Sequence, residues 1–173
     1  MLRLSIAFLL LNVALLTTGF SNSVIEHLRG YEGRWVGQFT IHSTANGYTE
    51  SFPVEQRYWW GDGKLRGLAV MQRDAGMEAS SSTTYWDGDQ LISEVRRDKR
   101  KDRYIGLLHD GGILWLPSEM ARANDYQMRE VLVRAKGQPS KLMTEGYDTY
   151  VYAEGIAHIV YRGELIRQPE AEE

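Results

Sequence analysis

The side chains best equipped for chemistry in this chain are four histidines, 23 acidic residues and a large aromatic complement of 5 Trp, 10 Tyr and 4 Phe. His27, His42, His109 and His158 lie far apart, and none forms an H-x-x-x-H or H-E-x-x-H pair. Helical zinc-hydrolase chemistry therefore has no support. The absence of cysteine excludes thiolate catalysis, disulfides and Cys-type zinc sites. Neither G-x-S-x-G nor G-x-x-x-x-G-K-[ST] occurs, and Asp87-Gly88-Asp89 is too short for an EF-hand loop. Motifs assign no catalytic residue, no metal ligand and no cofactor.

What the residue types do support is noncovalent binding. Phe39, Phe52, Tyr58, Trp60, Met71, Met128 and Tyr161 offer the large apolar surfaces that small-molecule pockets use. Gln56 and Glu130 share the strand parity of their apolar neighbours. An unpaired buried carboxylate is costly, so Glu130 needs a partner or a ligand, or else a place at the rim, in water. Glu145 also shares a face with apolar neighbours and is expected at a rim, in water. The opposing view is that these aromatics pack against one another as a filled core.

Such side chains can share one surface only if strands carry them. Ten β-rich runs follow one another at approximately 34–43, 48–60, 64–73, 80–86, 90–97, 102–109, 112–118, 125–135, 141–152 and 156–167. Between them stand Gly61-Asp62-Gly63, Asp74-Ala75-Gly76, Asp87-Gly88-Asp89, Asp110-Gly111-Gly112 and similar groups, which supply the positive φ of tight hairpins. No helix long enough for a parallel crossover intervenes, so the strands form an antiparallel meander. Within the first run Trp35, Gly37, Phe39 and Ile41 share one side. In the second, Phe52, Val54, Tyr58 and Trp60 oppose Ser51, Glu55 and Arg57. In the last, Ala157, Ile159, Tyr161 and Leu165 oppose His158, Arg162 and Glu164. One dry and one wet face in so many strands predicts an all-β, antiparallel up-and-down β-barrel of about 8–10 strands, because closure removes the edges and covers the apolar side. A two-sheet sandwich is the alternative.

The chain divides into an export signal at 1–21, a short helical lead-in at 22–32, the barrel at 33–167 and a disordered tail at 168–173. Arg3, the apolar stretch Leu4 to Leu16 and the small residues Thr17, Thr18, Gly19 and Ser21 have the order of a secretory signal peptide. Cleavage is expected after Gly19 or Ser21, placing the mature protein outside the cell or in a bacterial periplasm. The alternative, a retained anchor, has only Leu4 to Phe20, at the short limit for spanning a bilayer. No stable membrane insertion is expected after signal removal.

Gly33-Arg34-Trp35, directly after the short helical segment, resembles the G-x-W start of the lipocalin and wider calycin families. Asn124-Asp125-Tyr126 partly resembles their T-D-Y loop motif without its Thr, and Tyr147-Asp148-Thr149-Tyr150 is a looser match. The resemblance implies a structural barrel base of Gly33 and Trp35 at the bottom of strand one, with an Arg of the final strand, Arg162 or Arg167, packed on the Trp. Ten strands look more like fatty-acid-binding or nitrobindin-like barrels than the eight-stranded lipocalins. His158 lies where nitrobindin-like barrels place a haem ligand, but its alternation turns it outward.

The expected function is an exported barrel that binds a small, largely apolar molecule without transforming it. The alternatives are a structural or protein-interaction envelope domain with a filled core, and a barrel enzyme of isomerase or cyclase type. A net charge of −3 gives no reason to expect a nucleic-acid partner. The densest cation run comprises Arg96, Arg97, Lys99, Arg100, Lys101 and Arg103, interrupted by two Asp. It offers an anionic surface contact, or else a solvated turn whose cations discourage edge pairing.

Overall fold

A computed structural model describes residues 23–122 and 124–169. The proposed signal at 1–21 and the end of the tail lie outside them. Ten strands run in chain order: β1 (Gly33–Ser43), β2 (Thr49–Gly61), β3 (Lys64–Arg73), β4 (Gly76–Asp87), β5 (Gln90–Arg97), β6 (Arg100–His109), β7 (Gly112–Pro117), β8 (Tyr126–Val133), β9 (Lys141–Tyr152) and β10 (Gly155–Arg167). Each pairs antiparallel with its chain neighbours, and β1 also pairs with β10, so the sheet closes on itself. Every strand therefore has two partners, and no edge remains open. The sandwich alternative is excluded.

The turns explain the meander. Asp62-Gly63 and Asp110-Gly111 are two-residue hairpin loops with positive φ at both positions, 53° and 70° in one and 47° and 71° in the other. This conformation suits the right-handed twist of the flanking strands. The Cα registers between neighbouring strands run without interruption, so alternate side chains keep one face along each ladder.

A helix at 23–29, α1, covers one end of the barrel. Val24 and Leu28 on this helix, with Tyr31 just beyond it, are buried against the strand ends. There Trp35, Leu65, Leu91, Ile113, Leu142 and Leu165 form an apolar layer in which none is more than 2% exposed. The Trp35 indole N–H donates to the Tyr31 carbonyl at 2.7 Å, joining strand one to the cap. Three inward aromatics pair across strands with a glycine: Phe39 with Gly163, Tyr58 with Gly67 and Trp115 with Gly106. A Cβ on Gly163 would meet the Phe39 ring at 2.2 Å, and one on Gly106 would meet Trp115 at 2.7 Å. The missing side chains let the rings lie down on the wall.

Arg167 fills the expected place at the base, with its guanidinium 6.0 Å from the centre of the Trp35 ring and its Nε 3.0 Å from where a Gly33 Cβ would stand. Arg162 does not share it. It pairs with Thr40 and Glu145 at outward positions midway along the wall, as its odds-and-evens relation to Tyr161 requires. A second difference concerns the cation run. Strand β6 starts at Arg100, two residues earlier than its alternation predicts, and β5 and β6 meet at a loop of only Asp98 and Lys99. Long basic side chains can join the ladder at a barrel lip because their stems lie along the wall while their heads reach water.

Candidate ligand-binding site

The barrel interior above the apolar layer is not filled. It holds a cavity of about 270 Å³ that opens at the end opposite α1. An apolar cavity of about 150 Å³ accommodates benzene, so this lumen has room for a molecule of bicyclic size. Its walls come from nearly all the strands, because each contributes alternate residues inward.

Of the residues predicted to meet a ligand, Phe39, Phe52, Gln56, Tyr58, Met71, Met128, Glu130 and Tyr161 line the cavity. Phe39 and Phe52 stack at 6.4 Å between ring centres on the β1–β2 wall. Trp60 does not line it. It has the inward parity, but it stands near the foot of β2, packed against the core layer, with Arg29 of α1 5.4 Å from its ring centre. Glu145 is neither in the lumen nor at the rim: it is exposed on the outer wall, paired with Arg129 at 3.6 Å. His158 also faces outward, 3.0 Å from the Thr149 hydroxyl on the neighbouring strand.

Part of the lining on other strands is hydroxylic and gave no apolar signal in the sequence. Ser80, Ser82 and Thr84 of β4, Ser93 of β5 and Thr144 of β9 all face the cavity. Thr84 donates to the Ser93 hydroxyl at 3.0 Å, so part of this wall is internally satisfied. The alternation Ser80, Ser82, Thr84 was present in the sequence, but a stripe of small polar residues fits an outer face equally well.

The floor and the mouth differ in charge. At the floor, Glu130 is buried, and its Oε2 accepts the Trp115 indole N–H at 2.7 Å. Burial pushes its pKa upward, and the bond from Trp115 only partly opposes this. Tyr31 and Tyr58 are also shifted upward by burial, and the nearby Glu130 adds to the effect. Tyr58 donates to Gln56 Oε1 at 3.2 Å.

At the mouth, Glu50 also has little exposed surface, but it lies at a shallower depth and is ionised. The Arg73 guanidinium reaches its Oε2 at 2.6 Å, the Asp74 backbone N–H its Oε1 at 2.9 Å, and the Tyr48 hydroxyl donates at 3.1 Å. These bonds, chiefly those from Arg73, hold the Glu50 pKa down at about 2 against an ordinary 4.5. The cation run divides at this end. Arg97 and Arg100 line the cavity, whereas Lys101 pairs with Glu94 and Arg103 with Asp87. Arg96 pairs across the ladder with Lys101, so it takes the outward parity, and Lys99 caps the loop. Arg100 is held by Asp102 at 2.8 Å, while Arg97 has no ion pair among the described residues. Burial raises the pKa values of the lining phenols of Tyr104, Tyr126 and Tyr161, and the charge of Arg97 works against that rise in each. Sequence alternation could have identified the inward arginines only if the hairpin had been read as two residues long.

Among the described residues no group of three or more His, Asp or Glu is placed to hold a metal ion, and no helix is long and apolar enough to cross a membrane. No protein-family model matches the chain, and no curated protein matches it in sequence. Among solved structures it is similar to the S-type phycobiliprotein lyase of Guillardia theta, with a TM-score of 0.54 and 10% identity, covering 85% of this chain and 93% of that one. At that identity the likeness shows a shared fold alone, here a closed antiparallel β-barrel.

Proposed function

We propose that this chain is an exported, lipocalin-like carrier that takes a small, largely apolar molecule into the barrel and holds it without chemical change. The observation that carries this reading is the cavity of about 270 Å³ inside a closed sheet, sealed by α1 below and open above. Binding would come from removing apolar ligand surface from water against Phe39, Phe52, Met71 and Met128. Gln56 and Tyr58 would orient the ligand, with their mutual hydrogen bond yielding or being shared. The likeness to a phycobiliprotein lyase supports a small-molecule role for such a barrel. Export rests on the pattern of residues 1–21.

The neutral dye N-phenyl-1-naphthylamine, which fluoresces when taken out of water, tests the carrier reading. The wild-type protein should enhance its emission saturably. Ala69→Phe adds a ring to a lining position and should abolish the enhancement while leaving the β-sheet circular dichroism unchanged. No enhancement with the wild type, or enhancement that survives Ala69→Phe, would reject the lumen as the binding site. Sequencing the N-terminus of protein released from the cell envelope tests export, with a start after Gly19 or Ser21 expected.

A further inference from the structure

The floor of the cavity contains more hydrogen-bonding capacity than the fold uses. Tyr31 is only 2% exposed, its side chain lines the cavity, and its hydroxyl has no hydrogen-bond partner. A phenylalanine would fill the same space without that cost, since an unsatisfied buried hydroxyl is destabilising. The neighbouring phenol, Tyr58, lies edge-on to it at 6.0 Å between ring centres and donates elsewhere, to Gln56. Packing therefore accounts for the ring of Tyr31 but not for its oxygen.

Glu130 shows the same excess. Its Oε2 accepts from Trp115, but Oε1 makes no hydrogen bond among the described residues, and no lysine or arginine pairs with the group. The burial that raises its pKa favours the neutral acid. A neutral carboxyl has an O–H to donate, and a buried acid held in that form can serve as a hydrogen-bond donor to a carbonyl. Tyr31, Trp115 and Glu130 all line the same cavity.

The geometry points to the cavity floor as a recognition site for an uncharged acceptor oxygen, with the Tyr31 hydroxyl and the Glu130 carboxyl as its two donors. The ligand class is then an apolar molecule with a ketone, aldehyde, ester or lactam carbonyl at the end that enters first. A carboxylate is disfavoured there, because burying its charge requires a cation and neither donor carries one. This inference rests on the carrier reading above, since it names what that cavity selects.

Two probes of matched shape separate the inference from its premise: 2-acetylnaphthalene, and 2-isopropenylnaphthalene, in which CH₂ replaces the carbonyl oxygen. Each is titrated against N-phenyl-1-naphthylamine bound to the full chain. The ketone should bind about tenfold more tightly than the alkene, the effect of one or two buried hydrogen bonds. With a ¹³C-labelled carbonyl, its infrared stretch should fall below its position in alkane solvent. Tyr31→Phe should reduce the preference several-fold without lowering the thermal midpoint, because that hydroxyl has no partner to lose. Glu130→Gln keeps both an acceptor for Trp115 and a donor for the ligand, so it should retain part of the preference. Equal affinities for the two probes, an alkane-like carbonyl band, or a preference unchanged by Tyr31→Phe would overturn the floor site while dye binding left the carrier reading intact. Failure of the dye and of both naphthalenes to bind would overturn the two together.

Discussion

Glu50 and Glu130 are both buried carboxyl groups in one barrel, yet the two ends give them opposite electrostatic roles. At the mouth, Glu50 is surrounded by donors that favour its charge: a guanidinium, a backbone N–H and a phenol. It works as a structural anion that ties the β1–β2 side of the lip to the end of β3. At the floor, Glu130 has one donor and no cation, so burial dominates and favours the neutral acid. The difference shows that the depth of burial and the donors within reach together fix the state of a side chain. It also separates the capped end, where the apolar layer lies beneath the floor, from the mouth, where charged side chains gather.

The largest effect expected from this contrast is at Trp35, the fully buried residue of the floor layer. Trp35→Ala removes its ring from that layer and leaves the Tyr31 carbonyl without the indole donor. Destabilisation of about 3–5 kcal/mol is expected in urea unfolding, the usual range for aromatic truncation in a core. A loss below about 1 kcal/mol, the scale of a surface change, would mean that the floor is not the anchoring end.

The depth of that layer was less legible than its orientation. Asp-Gly dipeptides announced the hairpins because their backbone conformation excludes most other residues, and uninterrupted pairing let alternation identify the inward faces of β1, β2 and β10. Alternation carries no information on height within the barrel, which is why Trp60 has the right parity but lies below the cavity. Glu145 was harder to place because Met143 and Tyr147 share its outward parity, so that face of β9 resembles an inner one. The base arginine came from a family resemblance that named a strand and not a position; cross-strand pairing separates Arg167 from Arg162. The hydroxylic wall and Tyr31 left no mark, since serines, threonines and a lone tyrosine beside a helix fit many environments.

The two acids give the comparison a pH test of smaller expected size. Because the folded-state pKa of Glu50 lies at about 2, below its unfolded value, its contribution is present above pH 4.5 and declines as the pH falls towards 2. Glu130 behaves oppositely: its folded-state pKa is raised, so the folded state binds its proton more tightly, and stability falls as the pH rises above the unfolded value. Glu50→Gln should therefore flatten the acid side of the stability profile. Glu130→Gln, which retains the acceptor for Trp115, should leave stability near pH 4 little changed and raise it relative to the wild type at pH 7. Urea unfolding of the three proteins across this range measures both. Parallel profiles for the two variants would remove the distinction between the ends.

The smallest effect is expected at the lip itself, where apolar residues are present without being buried. Val151 is 81% exposed and Ile156 is 70% exposed, on either side of the β9–β10 hairpin. Their side chains remove little area from water on folding, so hydrophobic burial cannot anchor them. Ile156→Ser should change stability by no more than about 0.5 kcal/mol. The backbone pairing of Ile156 with Val151 persists in that variant, because the ladder bonds do not involve the side chain. If the change instead approached that of Trp35→Ala, the exposed lip would have to contribute packing comparable to the floor, and the division of the barrel into an anchored end and an open end would fail.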